Sequence, residues 1–205
     1  MKTFLQTAST ALILLIMCSS VFEQAQAQSD TRETRDSHHS EFDLKYRAFR
    51  ASFVPGLSTN GLEASQYSAK YSLNIIAGYN GGLDDGYELG LININRYYTH
   101  ARFQAGLVNV SGGQLSGINL AAIGNFSDGP MQGIQLSGIG NASDGYMQGV
   151  QFSNVFNVSS TDMQGIQYGG VVNVAGGGMQ GIQLAGVVNA AGGHTQGIQL
   201  AGVTN

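Results

Sequence analysis

Asn93, Asn109, Asn125, Asn141, Asn157, Asn173, Asn189 and Asn205 follow one another at intervals of sixteen residues without a slip. So strict a return marks a repeat architecture, in which each unit is one coil and neighbouring coils bury what a single unit cannot. A glycine column begins at Gly117 and continues through Gly133, Gly149, Gly165, Gly181 and Gly197. A glutamine column, headed by Asn119, runs Gln135, Gln151, Gln167, Gln183 and Gln199, and a second one runs Gln132, Gln148, Gln164, Gln180 and Gln196. The unit reads M-Q-G-I-Q-L-x-G-V-x-N, followed by loose residues such as Ala142 to Tyr146 that are rich in turn formers.

Apolar columns keep the same period. Ile118, Ile134, Val150, Ile166, Ile182 and Ile198 form one; the positions of Leu120, Leu136, Phe152, Tyr168, Leu184 and Leu200 form another. A third runs from Ile123 and Ile139 through Val155, Val171, Val187 and Val203, and a methionine column occupies 131, 147, 163 and 179. Ile134 and Leu136 alternate with Gly133 and Gln135, the strand period, whereas Ile139 falls out of phase across Ser137-Gly138, so the strand must bend there. A helix is excluded, because glycine recurs in every unit and costs about 1 kcal/mol at each helix-interior position.

The expected fold is all-β: a parallel β-solenoid with 16-residue coils. Coils stacked ~4.8 Å apart bring identical side chains together, so the Asn and Gln amides should bond along the axis and the Ile, Leu and Val columns should make a continuous core. The alternative is an antiparallel outer-membrane β-barrel, each unit supplying one tilted strand of ~9 to 11 residues and a turn. A barrel has no need of the strict return or of amide columns, and it calls for aromatic girdles at both strand ends, whereas the Tyr and Phe residues here are mostly upstream.

Residues 1–27 read as a secretion signal, with Lys2, the apolar run Ala11 to Met17 and the cleavage-site tripeptide Ala25-Gln26-Ala27. A lipoprotein signal with Cys18 as the acylated residue is the rival, disfavoured by Met17 where such signals want a small residue. Residues 28–45 form a polar leader, 46–92 an N-terminal β cap with a first irregular coil at Gly86 to Asn93, and 93–205 the regular repeats. Strands are expected over 49–57 and 71–79, separated by the turn Ser58 to Gly61. Asn205 stops the chain inside a well-formed unit, from which a truncated sequence or an end covered by a partner is expected.

Little of the chain suits chemistry. All nine Lys and Arg lie at or before Arg102, which argues against nucleic acid as a partner. From Gly117 onward the only charged residues are Asp128, Asp144 and Asp162, too few for a β-helix lyase or glycosidase. Asp128 and Asp144 stand one repeat apart, but one carboxylate per turn suits turn chemistry better than a calcium chain. Residues 176–181 match G-x-G-x-x-G, yet no helix and no acidic residue follow, so they read as turn glycines of adjoining units. His38 and His39 lie in a segment without a scaffold to fix metal geometry. No cofactor, metal or catalytic residue is expected, and the Asn, Gln and Gly columns are assigned as structural ladders.

Tyr71 to Tyr79, then Tyr87 to Asn93, then units of the form G-I-Q-L-A-G-V-V-N resemble the bacterial surface-repeat proteins of leptospires and Bacteroidetes, from about residue 49 onward. The spaced Gln, Gly and Asn also give a looser resemblance to curli-type amyloid subunits. The first resemblance implies a cell-envelope location and no activity. The expected function is therefore a non-enzymatic, exported scaffold at the cell surface, in the outer membrane or outside the cell. Its amide-studded face would bind another macromolecule, or copies would associate through the uncapped C-terminal end. A barrel or channel component of the outer membrane is the alternative.

Overall fold

The computed structural model describes residues 43–205. The signal region, Cys18, His38 and His39 lie outside the described residues. Turn residues divide each regular unit into a long and a short strand. After β1 (Lys45–Val54), β2 (Leu57–Ser58), a 3-10 helix (Gly61–Gln66), β3 (Tyr67–Ser111) and β4 (Leu115–Ser127), the two alternate to the end. The long strands are β5 (Met131–Ser137), β7 (Met147–Ser153), β9 (Met163–Gly169), β11 (Met179–Ala185) and β13 (Thr195–Ala201). The short ones are β6 (Gly140–Ser143), β8 (Phe156–Ser159), β10 (Val172–Ala175) and β12 (Val188–Ala191).

From β4 onward every pairing between repeats is parallel and in register at sixteen: Met131 lies beside Met147, Met147 beside Met163 and Met163 beside Met179. Asn125 meets Asn141, Asn141 meets Asn157 and Asn157 meets Asn173 on the short side. β4 turns the corner and serves both rows, pairing with β5 through Leu115–Ala121 and with β6 through Gly124–Ser127. The chain is thus a β-solenoid and not a barrel; among the described residues the only antiparallel pairing is the small β1–β2 hairpin. β3 is itself wound. A straight strand would separate Tyr71 from Tyr87 by about 50 Å at ~3.3 Å per residue, yet their rings stack at 5.9 Å.

The start of the stack differs in detail from expectation. β1 begins at Lys45 and lies parallel to Tyr67–Asn74, so it acts as a rung of the stack. The connection to the next rung takes up the β2 turn and the 3-10 helix as well as the Ser58 to Gly61 turn, because Gly56 and Gly61 adopt positive φ and reverse the chain twice.

The core corrects the sequence reading. The Ile, Leu and Val columns point outward, with Ile134, Phe152, Ile166, Tyr168 and Val171 all exposed. Inside lie the methionines at 131, 147, 163 and 179, the Asn and Gln columns, and Ser or Ala at 127, 143, 159 and 175. Alternation shows that the two faces differ but does not say which is inside. From Met131 onward the thin interior of so short a coil accepts unbranched Met or Gln opposite Ser or Ala, whereas branched and aromatic side chains are accommodated outside.

The glycine column has two reasons to be glycine. Gly133, Gly149, Gly165, Gly181 and Gly197 have φ between +123° and +144°, a region side chains rarely adopt. A Cβ on Gly165 would also collide with the carbonyl oxygen of Gly149 in the coil before it. Gly165→Ala is expected to destabilise the solenoid by about 3 kcal/mol, read as a lower midpoint of urea unfolding by circular dichroism.

Candidate functional site

Two amide ladders run through the interior, with opposite polarity. On the asparagine side each Nδ2 donates to the Oδ1 of the next coil: Asn93 to Asn109 at 2.8 Å, Asn109 to Asn125 at 2.8 Å, Asn125 to Asn141 at 2.9 Å and Asn141 to Asn157 at 2.9 Å. The ladder continues through Asn173 and Asn189 to Asn205. On the glutamine side each Nε2 donates backwards: Gln151 to Gln135, Gln167 to Gln151, Gln183 to Gln167 and Gln199 to Gln183, at 2.6 to 2.8 Å. The axial dipoles of the two columns oppose each other.

Each Asn also fastens a corner. The second Nδ2 proton reaches the backbone carbonyl at the end of the next long strand, as from Asn125 to Leu136 at 3.0 Å and from Asn157 to Tyr168 at 2.7 Å. The carbonyl at each bend is thereby satisfied by a side chain, as a buried polar group requires. Asn109, Asn125, Asn141, Asn157, Asn173 and Asn189 are all essentially without solvent contact, as are Gln135, Gln151, Gln167 and Gln183. The expected amide-studded binding face is therefore not formed by these residues. The glutamines that do reach solvent are those of the second column, where Gln148 donates to Gln164 at 3.1 Å and Gln164 to Gln180 at 3.2 Å.

The glutamine ladder ends on a charge that the sequence reading missed. Stepping sixteen back from Gln104 gives Glu88, fully buried, whose carboxylate accepts from Gln104 at 2.6 Å, Asn95 at 2.8 Å, Asn74 at 2.8 Å and Asn80 at 3.3 Å. Asn74 in turn accepts from Arg50 at 3.0 Å, so one amide links the buried guanidinium to the buried carboxylate. Burial lowers the Arg50 pKa to about 10, an effect opposed by the charge of Glu88. Arg50 also donates to Ser72 and to the carbonyl of Tyr79. Arg50 and Glu88 are therefore both engaged with internal partners, while Arg50 Nε is left without one.

One rung of the ladder is faulty. Asn119 occupies the glutamine slot but is one methylene shorter, and neither its amide nor Gln104 Oε1 nor Gln135 Nε2 has a hydrogen-bond partner. The register between β3 and β4 also shifts next to it, between Ala101 and Gln104.

The remaining acid–base groups of the repeats are dispersed. Burial, with a smaller contribution from the Asp144 charge, raises the Asp128 carboxyl above its ordinary pKa. Asp162 accepts from the backbone N–H of Gly178 at 2.7 Å. No group of three His, Cys, Asp or Glu among the described residues is placed to hold a metal ion. The repeats instead present an outward apolar surface: the Ile and Leu columns of the long strands, Tyr71 stacked on Tyr87 upstream, and Phe152 stacked on Tyr168 at 4.6 Å. Compared with family models, curated proteins and solved structures, the chain matches none.

Inner and outer amides of the same chemistry should differ in worth. Asn157→Ala strands Asn141 Nδ2, Asn173 Oδ1 and the Tyr168 carbonyl in the interior and should cost about 3 kcal/mol, whereas Gln164→Ala in the exposed column should stay within about 0.5 kcal/mol. Asn119→Gln, which restores the missing methylene, should gain about 1 kcal/mol. Urea unfolding of the three variants checks all of these values.

Proposed function

We propose that the chain is an exported, non-enzymatic repeat protein of the cell envelope, a stiff scaffold that presents an outward apolar face to another macromolecule. The observation that carries this reading is the inverted distribution of side chains. Amides that could have met water are turned inward, and Ile, Leu, Val, Phe and Tyr stand in solvent in continuous columns. Contiguous apolar surface of more than a few hundred Å² marks an interaction site on a protein exposed to water.

Three further features support it. The inter-coil hydrogen bonds hold the face in one register, and a preorganised surface loses little freedom on binding. The acid and base buried deepest, Glu88 and Arg50, are engaged with interior amides and backbone, which leaves them unsuited to proton transfer with a substrate. Lys2, the apolar run and Ala25-Gln26-Ala27 supply the elements of an export signal. The alternative of a channel component loses its basis with the barrel, since this interior is filled by Met, Asn, Gln and Ser.

The test is fractionation of the native host producing the full chain or its Ile134→Lys/Ile166→Lys variant. Both substitutions fall on outward positions, where a change of this kind leaves the fold within about 1 kcal/mol. The expected result is a processed protein that pellets with the envelope and is shaved by external protease, with the variant released to the soluble fraction. An unprocessed chain in the cytoplasm, or a variant that stays on the envelope, would contradict the reading.

A further inference from the structure

The apolar face has dimensions and chemistry that select an occupant. It extends from Tyr71 and Leu73 at one end to Ile198 and Leu200 at the other, a height of about 40 Å at ~4.8 Å per coil. Its width, from the Ile134 column across Leu136 to the bend at Ile139, is about 15 Å at ~3.3 Å per residue. The face thus measures about 600 Å², and two such faces together bury about 1,200 Å², within the range of specific protein interfaces.

The same surface is matched to itself. Because the columns repeat every sixteen residues, a second copy turned over on the face meets an identical alternation of Ile and Leu ridges, and twofold pairing of like patches is the commonest way in which soluble proteins associate. A shallow groove lined by Tyr168, Leu184 and Leu200, with Gly170 and Gly186 between them, accepts a ridge from a facing sheet. The flanking Gln132, Gln148 and Gln164 amides both donate and accept, so they can bond across the rim to the same column of a copy in either direction. No charged residue stands in the Ile or Leu column from Ile118 to Leu200, so self-pairing buries no charge there, and the ion pair of Arg102 with Asp85 beside Tyr87 is exposed at the upstream end. A lipid surface is less well matched, because no Lys or Arg follows Arg102 to meet phosphate headgroups.

We infer that two copies of the chain pair laterally, sheet on sheet, through the Ile134 and Leu136 columns of the long-strand face, about a twofold axis perpendicular to the stack. This rests on the reading of that face as a docking surface. Full overlap of the described face, Leu73 to Leu200, puts the axis near Leu136.

The experiment is sedimentation velocity of the full chain in detergent-free buffer from about 1 to 100 µM, for the wild type, Ile134→Lys/Ile166→Lys and the milder Ile134→Thr/Ile166→Thr. Alongside it, Leu136→Cys and Ala142→Cys are made in a Cys18→Ser background and oxidised. The expected result is a wild-type dimer, weakened at least about 100-fold by the Lys pair with an unchanged β spectrum, and a disulfide through Leu136→Cys but not through Ala142→Cys on the short-strand side. If the Lys pair does not fold, the Thr pair is the variant to be read, and it must still shift the equilibrium towards monomer. A wild type that is monomeric throughout, a dimer indifferent to both pairs, or a monomer that binds phosphatidylcholine vesicles through this face overturns the inference. A monomeric wild type whose Lys pair is nevertheless released from the envelope overturns self-pairing alone. A dimer whose Lys pair stays on the envelope supports self-pairing and contradicts the envelope role.

Discussion

The hydrogen bond from one buried amide to the same amide a coil away is the interaction on which the rest of the structure depends. It works only at a spacing of one coil, so it ties the sixteen-residue period to the axial rise. Left without a partner in the interior, each amide would cost far more than the bond contributes when made. The ladders therefore act as a register lock: a slip of one residue would unpair both columns at once, and the bend carbonyls held by the asparagines with them. The glycine column follows from the same closeness, since the backbone of each coil lies against the carbonyl oxygen of the coil before it.

An amide column must also begin somewhere, and here the N-terminal half does what the repeats do not. Glu88 takes the place of a glutamine and accepts from four amides with its two oxygens, so the donors arriving there are all satisfied. Arg50 offsets that charge through Asn74, and β1 brings it into position. Between this polar plug and the regular repeats, Asn119 and the neighbouring register shift form a joint at which the ladder is interrupted. The regular coils are thus anchored at one end by charge and along their length by neutral amides.

The period, the parallel stacking, the division at Ser137-Gly138 and the Asn and Gln columns from Asn119 onward were legible in the sequence, because each shows as a recurrence. The sense of the faces was not. Asn141 and Ala142, or Gln135 and Ile134, alternate identically whichever of them points inward, and hydrophobicity alone selects the wrong one. The methionine column was the available signal, being the apolar column of the long strand in phase with Gln135 and Ser137. Glu88 was hidden for a different reason: the column slips by one residue between Asn119 and Gln104, so neither Gln104 nor Glu88 falls on the sixteen-residue count, and Glu88 also changes residue type. Arg50 belongs to no column and is placed by tertiary structure alone.

With the amide ladders and methionines inside and the Ile, Leu and aromatic columns outside, the interior specifies register, and the exterior is left for the docking role proposed above. The most direct test of that inversion is hydrogen–deuterium exchange of the individually assigned Asn and Gln side-chain amides by NMR. Protected NH₂ groups at Asn125, Asn141, Asn157, Gln151 and Gln167, beside rapidly exchanging ones at Gln148, Gln164 and Gln180, are the predicted result. Fast exchange at the Asn and inner Gln columns would place those amides on the surface and contradict the account.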